Sequence, residues 1–128
     1  MRILLDTCTF IWLALPQGKL SPIATKSLNN PSYDLFLSDV SVWEIALKNA
    51  AGKLDLPSDP RSWLPSRAAF FQLKTLRIQH EHFYRSGELY DLRPDPFDRL
   101  IAAQAIEGGM TILSPDRSFS ELGASRLW

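Results

Sequence analysis

Four acidic side chains stand at positions from which they could act together: Asp6, Glu44, Asp98 and Asp116. Asp98 is the most informative. The pair Asp95-Pro96 predicts a helix start, because aspartate is a good N-cap and proline fits the first helical position. At about 100° per residue, Asp98 then falls within an apolar arc formed by Phe97, Ile101, Ala102, Ala105 and Ile106. A carboxylate on the core-facing side of a helix is costly unless something pairs with it, so we expect Asp98 to face a cation.

The other three acids lie near predicted strand ends or on an unusual helix. Asp6 directly follows an apolar run at residues 2–5, and Asp116 comes shortly after another at residues 110–113; both runs are typical of buried strands. Glu44 lies in a predicted helix, residues 40–51, whose apolar side chains cover most of the circumference. Ser41, Glu44 and Lys48 form its coherent polar stripe. We expect this helix to be buried on nearly all sides, with the stripe facing a cavity.

Strands and helices alternate along the chain. Strands are predicted at residues 2–5, 35–38, 75–78 and 110–113, with a last edge strand and a short turn of helix in the segment 117–128. Helices are predicted at residues 7–15, 21–28, 40–51, 80–89 and 95–108, with one more from the end of the proline-rich connection 54–65 to residue 73 and a loop at 90–94. The pattern predicts an α/β fold, a three-layer α/β/α sandwich with a mostly parallel central sheet. Ligands of such sheets bind at the carboxyl ends of the strands.

Length and composition limit the class of protein. With 128 residues, the chain is expected to form one domain over residues 1–128. A net charge of zero means that any nucleic-acid contact must use a local patch. The single cysteine, Cys8, excludes an internal disulfide. We find no apolar run of membrane-spanning length and no signal peptide, and we therefore expect a cytoplasmic protein without a membrane partner.

Clustered carboxylates need a cation, because like charges raise one another's pKa. Ligands that offer only oxygen favour Mg²⁺ or Mn²⁺. Such a site can activate water and shield charge developing on a phosphoryl group. The expected chemistry is hydrolysis of a phosphodiester by metal-activated water, with Asp6 and Asp98 as principal ligands and Glu44 and Asp116 completing the site.

Four motifs, taken together, resemble the PIN-domain family, and in particular its VapC-like toxin ribonucleases. They are Leu4-Leu5-Asp6-Thr7, the segment 41–48 with Gly52-Lys53-Leu54, Asp95-Pro96-Phe97-Asp98-Arg99, and Ser114-Pro115-Asp116. The resemblance implies a Mg²⁺- or Mn²⁺-dependent endoribonuclease acting on RNA, the toxin of a toxin–antitoxin module, with a cognate antitoxin and a homodimeric state. It implies that the catalytic and metal-binding acids are Asp6, Glu44, Asp98 and Asp116. Thr7, Lys48, Arg99 and Ser114 are auxiliary candidates.

The same acids also have purely structural interpretations. Glu44 and Lys48 form a favourable i,i+4 pair on a helix surface, Asp6 and Asp98 suit helix N-termini, and Asp116 suits a turn. Basic side chains near the acids are either phosphate contacts or ordinary surface charges; these are Lys48, Lys53, Arg99 and Arg117.

Three other functions compete with the toxin. A phosphotransferase using Asp6 as nucleophile usually needs a second acid two residues on, where this chain has Cys8. A non-catalytic binding module is disfavoured because all four acids are present. A housekeeping PIN nuclease without an antitoxin differs only in its partner.

Overall fold

The computed structural model describes residues 1–128 and contains one five-stranded sheet. Its strands are β1 (Arg2–Leu5), β2 (Asp34–Ser38), β3 (Lys74–Leu76), β4 (Thr111–Leu113) and β5 (Ser125–Leu127). They lie in the order β3-β2-β1-β4-β5, and every neighbouring pair is parallel. β1 therefore sits at the centre, where the strand order reverses, and its carboxyl end is the expected place for a ligand.

Helices connect the strands and cover both faces of the sheet. They are α1 (Thr7–Ala14), α2 (Pro22–Leu28), α3 (Asp39–Ala50), α4 (Pro60–Phe70), α5 (His80–Glu88), α6 (Pro96–Gly108) and α7 (Ser118–Glu121), with a 3₁₀ turn at Tyr90–Leu92. Side chains of Asp6, Ser21, Asp59 and Asp95 cap the N-termini of α1, α2, α4 and α6. Gly109 ends α6 in the left-handed conformation, φ 62°.

Alternate strand residues face opposite sides of the sheet and build a core on each. Leu4 and Ile112 pack with α6 residues such as Ile101 and Ala105. Ile3 and Leu5 pack on the other face with Phe10 of α1 and Trp63 of α4. This two-sided burial explains why the strands are continuous apolar runs. The predicted three-layer α/β/α fold with a parallel sheet is confirmed. No helix combines the length and apolar character needed to cross a bilayer.

The prediction that α3 is buried on nearly all sides is wrong. Val42, Trp43 and Leu47 are 38%, 51% and 47% exposed. α3 packs inward through only one face, which contains Val40, Ser41, Glu44 and Ile45. A helical wheel shows which side chains are apolar, but it does not show which of them meet a neighbouring element. The polar stripe is nevertheless turned inward at Ser41 and Glu44, which are 0% and 9% exposed.

Two boundaries also differ from the sequence predictions. α4 begins at Pro60, in the later part of the connection 54–65, because Asp59 caps it and Pro60 occupies its first position, and it ends at Phe70 rather than at residue 73. The predicted loop at 90–94 contains the 3₁₀ turn Tyr90–Leu92.

Candidate active site

The site is built on the carboxyl ends of the two central strands. β1 and β4 are paired so that Leu5 lies opposite Leu113, and Asp6 and Ser114 are the next residues along each chain. The backbone N–H of Asp6 donates to the carbonyl of Leu113 at 3.3 Å. Ser114, which is fully buried, donates from its hydroxyl to Asp6 Oδ2 at 2.5 Å. The two strand ends thus present a carboxylate and a hydroxyl side by side.

Asp6 is buried, with 6% of its surface exposed, and its orientation is fixed. Its Oδ1 accepts from the backbone N–H of Thr9 at 2.9 Å, as the N-cap of α1, while Oδ2 accepts from Ser114. Burial raises the pKa of Asp6, although the hydrogen bonds from Ser114 and Thr9 oppose that rise. A nearby positive charge would relieve the cost of ionising this group.

Glu44 approaches from α3 and is held by residues of α1 and α3. Thr7 donates from its hydroxyl to Glu44 Oε1 at 2.6 Å, and the same hydroxyl lies 2.9 Å from that of Ser41. Lys48 Nζ lies 2.7 Å from Glu44 Oε2. The i,i+4 ion pair and the inward position of Glu44 therefore coexist. Because Thr7 follows Asp6 directly, this contact holds Glu44 close to the end of β1.

Asp98 occupies the first turn of α6, beside its capping residue. Asp95 Oδ1 accepts from the backbone N–H groups of Phe97 and Asp98 at 2.8 and 3.2 Å. Burial, together with the negative charge of Asp95, raises the pKa of Asp98 to about 6, against the opposing effect of Arg93. Asp98 has a cationic partner in this structure, the guanidinium of Arg93, and its predicted place among several acids around a bound cation stays a prediction.

Asp116 completes the set from the turn after β4. Its backbone N–H donates to Ser114 Oγ at 3.0 Å, and its Oδ1 accepts from the hydroxyl of Ser118 at 2.7 Å. Burial alone would raise the pKa of Asp116, but hydrogen bonds from Ser118 and the charge of Arg93 outweigh it and lower the pKa. Ser114 thus donates to Asp6 and accepts from Asp116, which ties the two acids to one hydroxyl.

Arg93 is the residue of this network that the sequence reasoning missed. Its Nη2 lies 2.7 Å from Asp98 Oδ2 and 2.8 Å from Asp116 Oδ2. Its position in the sequence could have indicated this role, because Arg93 lies two residues before the N-cap of a helix whose first turn carries an inward carboxylate. Three of the predicted acids therefore join one hydrogen-bonded network, which runs from Asp6 through Ser114, Asp116 and Arg93 to Asp98. Glu44 adjoins this network through Thr7, the residue that follows Asp6 in the chain.

The donor set of this network fits a hard divalent cation. Its acidic side chains offer only oxygen atoms, and burial raises the pKa of both Asp6 and Asp98, so a cation would favour their ionised forms. With Arg93 between Asp98 and Asp116, no three acidic, histidine or cysteine side chains converge closely enough to enclose one ion.

Three further polar side chains have structural roles: those of Arg99, His82 and Cys8. Arg99 donates from Nη1 to the carbonyls of Arg93 and Pro94 at 2.7 and 2.8 Å, rather than to an acid. His82 Nδ1 accepts from the backbone N–H of Gln79 at 2.9 Å and thereby caps α5. Cys8 points its thiol at Asp6, and burial raises its pKa, which leaves it unsuited to act as a nucleophile.

Solved structures share this architecture over nearly the whole chain. VapBC2 from Rickettsia felis, bound to a promoter DNA fragment, matches with a TM-score of 0.75 at 16% identity, covering 100% of this chain and 99% of that chain. FitAcB from Neisseria gonorrhoeae matches with a TM-score of 0.68 at 21% identity, covering 98% and 96%. VapBC-5 from Mycobacterium tuberculosis, a member of the VapBC family of toxin–antitoxin systems, matches with a TM-score of 0.62 at 18% identity, covering 98% and 95%.

At these identities the likeness shows the fold, and no curated protein matches the sequence. Membership of a family comes from the sequence itself. The family model described as PIN domain matches residues 3–124, a span that contains α3, α6, β4 and all of β1 but its first residue, with all four acids. The chain belongs to the PIN domain family.

Proposed function

We propose that this protein is a Mg²⁺- or Mn²⁺-dependent endoribonuclease and the toxin of a toxin–antitoxin pair. The observation that carries the proposal is the hydrogen-bonded network that joins Asp6, Asp98 and Asp116 at the carboxyl ends of β1 and β4, with Glu44 held beside it by the hydroxyl of Thr7. PIN-domain membership and the likeness to VapBC structures support it.

The roles of the acids follow from their contacts. A bound Mg²⁺ or Mn²⁺ would lower the pKa of water and stabilise charge on the phosphoryl oxygens. Asp6 and Asp98 are the principal ligands, because both are directed inward and burial raises the pKa of each. Ser114 orients Asp6 and Asp116 together, and Thr7 orients Glu44. Lys48, at 2.7 Å from Glu44, keeps a positive charge at the rim, where an RNA phosphate could lie.

The first experiment tests the chemistry directly. Purified wild type is incubated with a mixed RNA pool in Mg²⁺, in Mn²⁺ and in EDTA, beside Asp6→Asn and Asp98→Asn. We expect cleavage that needs the metal and falls at least a hundredfold in both variants, on the order expected for loss of charge that stabilises the transition state. Asp34→Asn is the matched control, because it makes the same change at the amino end of β2, where Asp34 pairs with Lys74.

Each competing function predicts a different result. A non-catalytic module predicts no cleavage and no metal binding. A phosphotransferase predicts an acyl-phosphate on Asp6, which the sequence disfavours because Cys8 stands where such enzymes usually carry a second acid. A housekeeping nuclease predicts cleavage but no neutralising protein encoded by a neighbouring open reading frame.

The exposed part of α3 supports a homodimer. Trp43 and Leu47 share one face of the helix, and Trp43 packs edge-on against Phe97 with ring centroids 4.9 Å apart. This apolar face adjoins the acids, since Trp43 precedes Glu44 and Phe97 precedes Asp98. We expect light scattering to show a dimer that Leu47→Glu dissociates. Phe70→Ser is the control, because it removes an exposed aromatic ring, 67% exposed, from α4.

A groove between α3 and α4 supports the antitoxin partner. It has a volume of about 530 Å³ and an apolar lining that includes Leu37, Leu64 and Leu73. Its charged lining residues are Arg61, Arg77 and Asp39, the last of which lies 3.9 Å from Arg77. We propose that it binds an apolar segment of the antitoxin with flanking acidic residues. Ala68 lines the groove, whereas the adjacent Ala69 is exposed and outside it. Ala68→Glu should abolish co-purification with the antitoxin encoded by the neighbouring open reading frame, and Ala69→Glu should not.

A further inference from the structure

Arg93 makes more contacts with the acids than any other basic side chain in the protein. Its Nε donates to Asp98 Oδ2 at 2.8 Å, and its Nη2 contacts Asp98 Oδ2 and Asp116 Oδ2 at 2.7 and 2.8 Å. Its Nη1 donates to the hydroxyl of Ser118. The side chain is only 27% exposed. Its guanidinium is therefore enclosed by the acids and is not a mobile surface charge.

The backbone of Arg93 is held in place as firmly as its side chain. Arg99, one turn into α6, donates to the carbonyls of Arg93 and Pro94 at 2.7 and 2.8 Å, and its guanidinium lies over the ring of Tyr90, 5.1 Å from the centroid. Arg93 itself is extended, with φ −158° and ψ 130°, which is the conformation that a following proline favours. The segment that delivers Arg93 is thus anchored to the helix that carries Asp98.

The guanidinium and a divalent ion would compete for the same oxygens. Asp98 and Asp116 are proposed ligands, and one nitrogen of Arg93 contacts an oxygen of each. We propose that Arg93 is a tethered counter-ion, which neutralises Asp98 and Asp116 in the metal-free protein and which the divalent ion must displace in order to bind. This inference rests on the proposed function, because it takes the acids to be a metal site.

The need to displace the Arg93 guanidinium determines how much the metal affinity should change when Arg93 is removed. The apparent dissociation constant of a ligand increases in inverse proportion to the fraction of protein that is competent to bind it. Charge-assisted hydrogen bonds from one guanidinium to two carboxylates make the closed arrangement the major one. If it is favoured about tenfold over the open arrangement, removing Arg93 should tighten metal binding about tenfold.

Calorimetric titration of Mn²⁺ into the full chain tests this without any measurement of activity. Arg93→Gln should bind Mn²⁺ about tenfold more tightly than wild type. Arg117→Gln is the matched control, because Arg117 follows Asp116, is exposed and makes no ion pair with an acid. It removes the same charge from the same neighbourhood, and we expect its affinity to stay within about threefold of wild type, as for a screened surface charge.

Thermal unfolding provides the second readout. In EDTA, Arg93→Gln should melt below wild type, because Asp98 and Asp116 have lost their counter-ion. On addition of Mn²⁺ it should gain more in Tm than wild type, since stabilisation by a ligand grows with its affinity. Should Arg93→Gln not fold in EDTA, Arg93→Lys retains the charge but loses the forked geometry, and it should bind Mn²⁺ with an affinity above that of wild type.

The outcomes separate the inference from the proposed function. Equal or weaker Mn²⁺ binding by Arg93→Gln, with wild type binding normally, overturns the counter-ion role and leaves the metal site intact. An equal gain in Arg93→Gln and Arg117→Gln also overturns it, because the effect is then general electrostatics. An absence of binding in wild type and every variant overturns the metal site itself, and the inference with it.

Discussion

Replacing Asp98 by asparagine should stabilise the metal-free protein at neutral pH. Burial and the neighbouring charge of Asp95 raise the pKa of Asp98 to about 6, from the 3.8 of an ordinary aspartate. The ionised form is therefore disfavoured in the folded state, even with Arg93 beside it. Asparagine keeps the shape of the protonated acid and avoids this penalty, so the variant should gain stability although it loses a proposed ligand.

The magnitude follows from the shift in pKa. A difference of about two pKa units corresponds to about 3 kcal/mol, which is the upper limit for the gain at pH 7. Because the folded pKa is raised, the folded state binds the extra proton between about pH 4 and 6, and wild-type stability falls as the pH rises through that window. Urea unfolding of wild type and Asp98→Asn in EDTA, at pH 4.5 and pH 7.5, should show the difference growing with pH.

Asp34→Asn provides a control of opposite sign. Lys74, at 3.0 Å, lowers the pKa of the exposed Asp34 through a hydrogen bond and its charge. Its contribution to stability is present above the ordinary pKa of aspartate and is lost as the pH falls below it, so this variant should lose stability at pH 7.5. The reasoning about Asp98 is refuted if Asp98→Asn is less stable than wild type in EDTA at pH 7.5. It is also refuted if the difference between the two proteins does not depend on pH.

Two further substitutions test the groups that orient the acids. Ser114→Ala removes the donor to Asp6 and the acceptor for the Asp116 N–H. We expect the free energy of unfolding in urea to fall by about 1–3 kcal/mol and Mn²⁺ binding in calorimetry to weaken. Unchanged values for both would contradict the role of Ser114 in linking the two acids. Thr7→Val keeps the shape of the side chain but removes the hydroxyl that donates to Glu44. We expect the rate of RNA cleavage to fall about tenfold with little change in Mn²⁺ affinity. An equal loss in rate and affinity would instead place Glu44 among the main metal ligands.

The fold could be predicted because its signals are local. Buried parallel strands are short apolar runs, and the N-termini of α2 and α6 are marked by Ser21-Pro22 and Asp95-Pro96. The same signal, Asp59-Pro60, begins α4 in the later part of the proline-rich connection, where we expected a helix but did not assign its first residue. The rule was sufficient there, but several prolines in the surrounding sequence obscured it.

Positions of the acids could be predicted for a related reason. In a parallel sheet every strand presents its carboxyl end at the same edge, so residues that follow strands meet there whatever their separation in sequence. Asp6 and Ser114 are 108 residues apart and share a hydrogen bond of 2.5 Å. The exposure of Trp43 and Leu47 could not be predicted this way, because the periodicity of α3 shows its apolar sides but not how many of them have a partner.

Arg93 shows where sequence reasoning reaches its limit. The inward carboxylate of Asp98 implies a positive charge nearby, but a periodicity argument cannot say whether that charge is a metal ion or a side chain. The backbone supplies the answer, because Arg99 pins the carbonyls of Arg93 and Pro94 and thereby directs the guanidinium at Asp98 and Asp116. A largely buried acid needs either a counter-charge or a proton in every state of the protein. Without a bound ion, the protein must therefore either protonate Asp98, as its raised pKa allows near pH 6, or hold a cation of its own beside it. Arg93 is that cation, since its guanidinium contacts both Asp98 and Asp116. The guanidinium neutralises Asp98 when it is ionised, and a proton neutralises it below about pH 6.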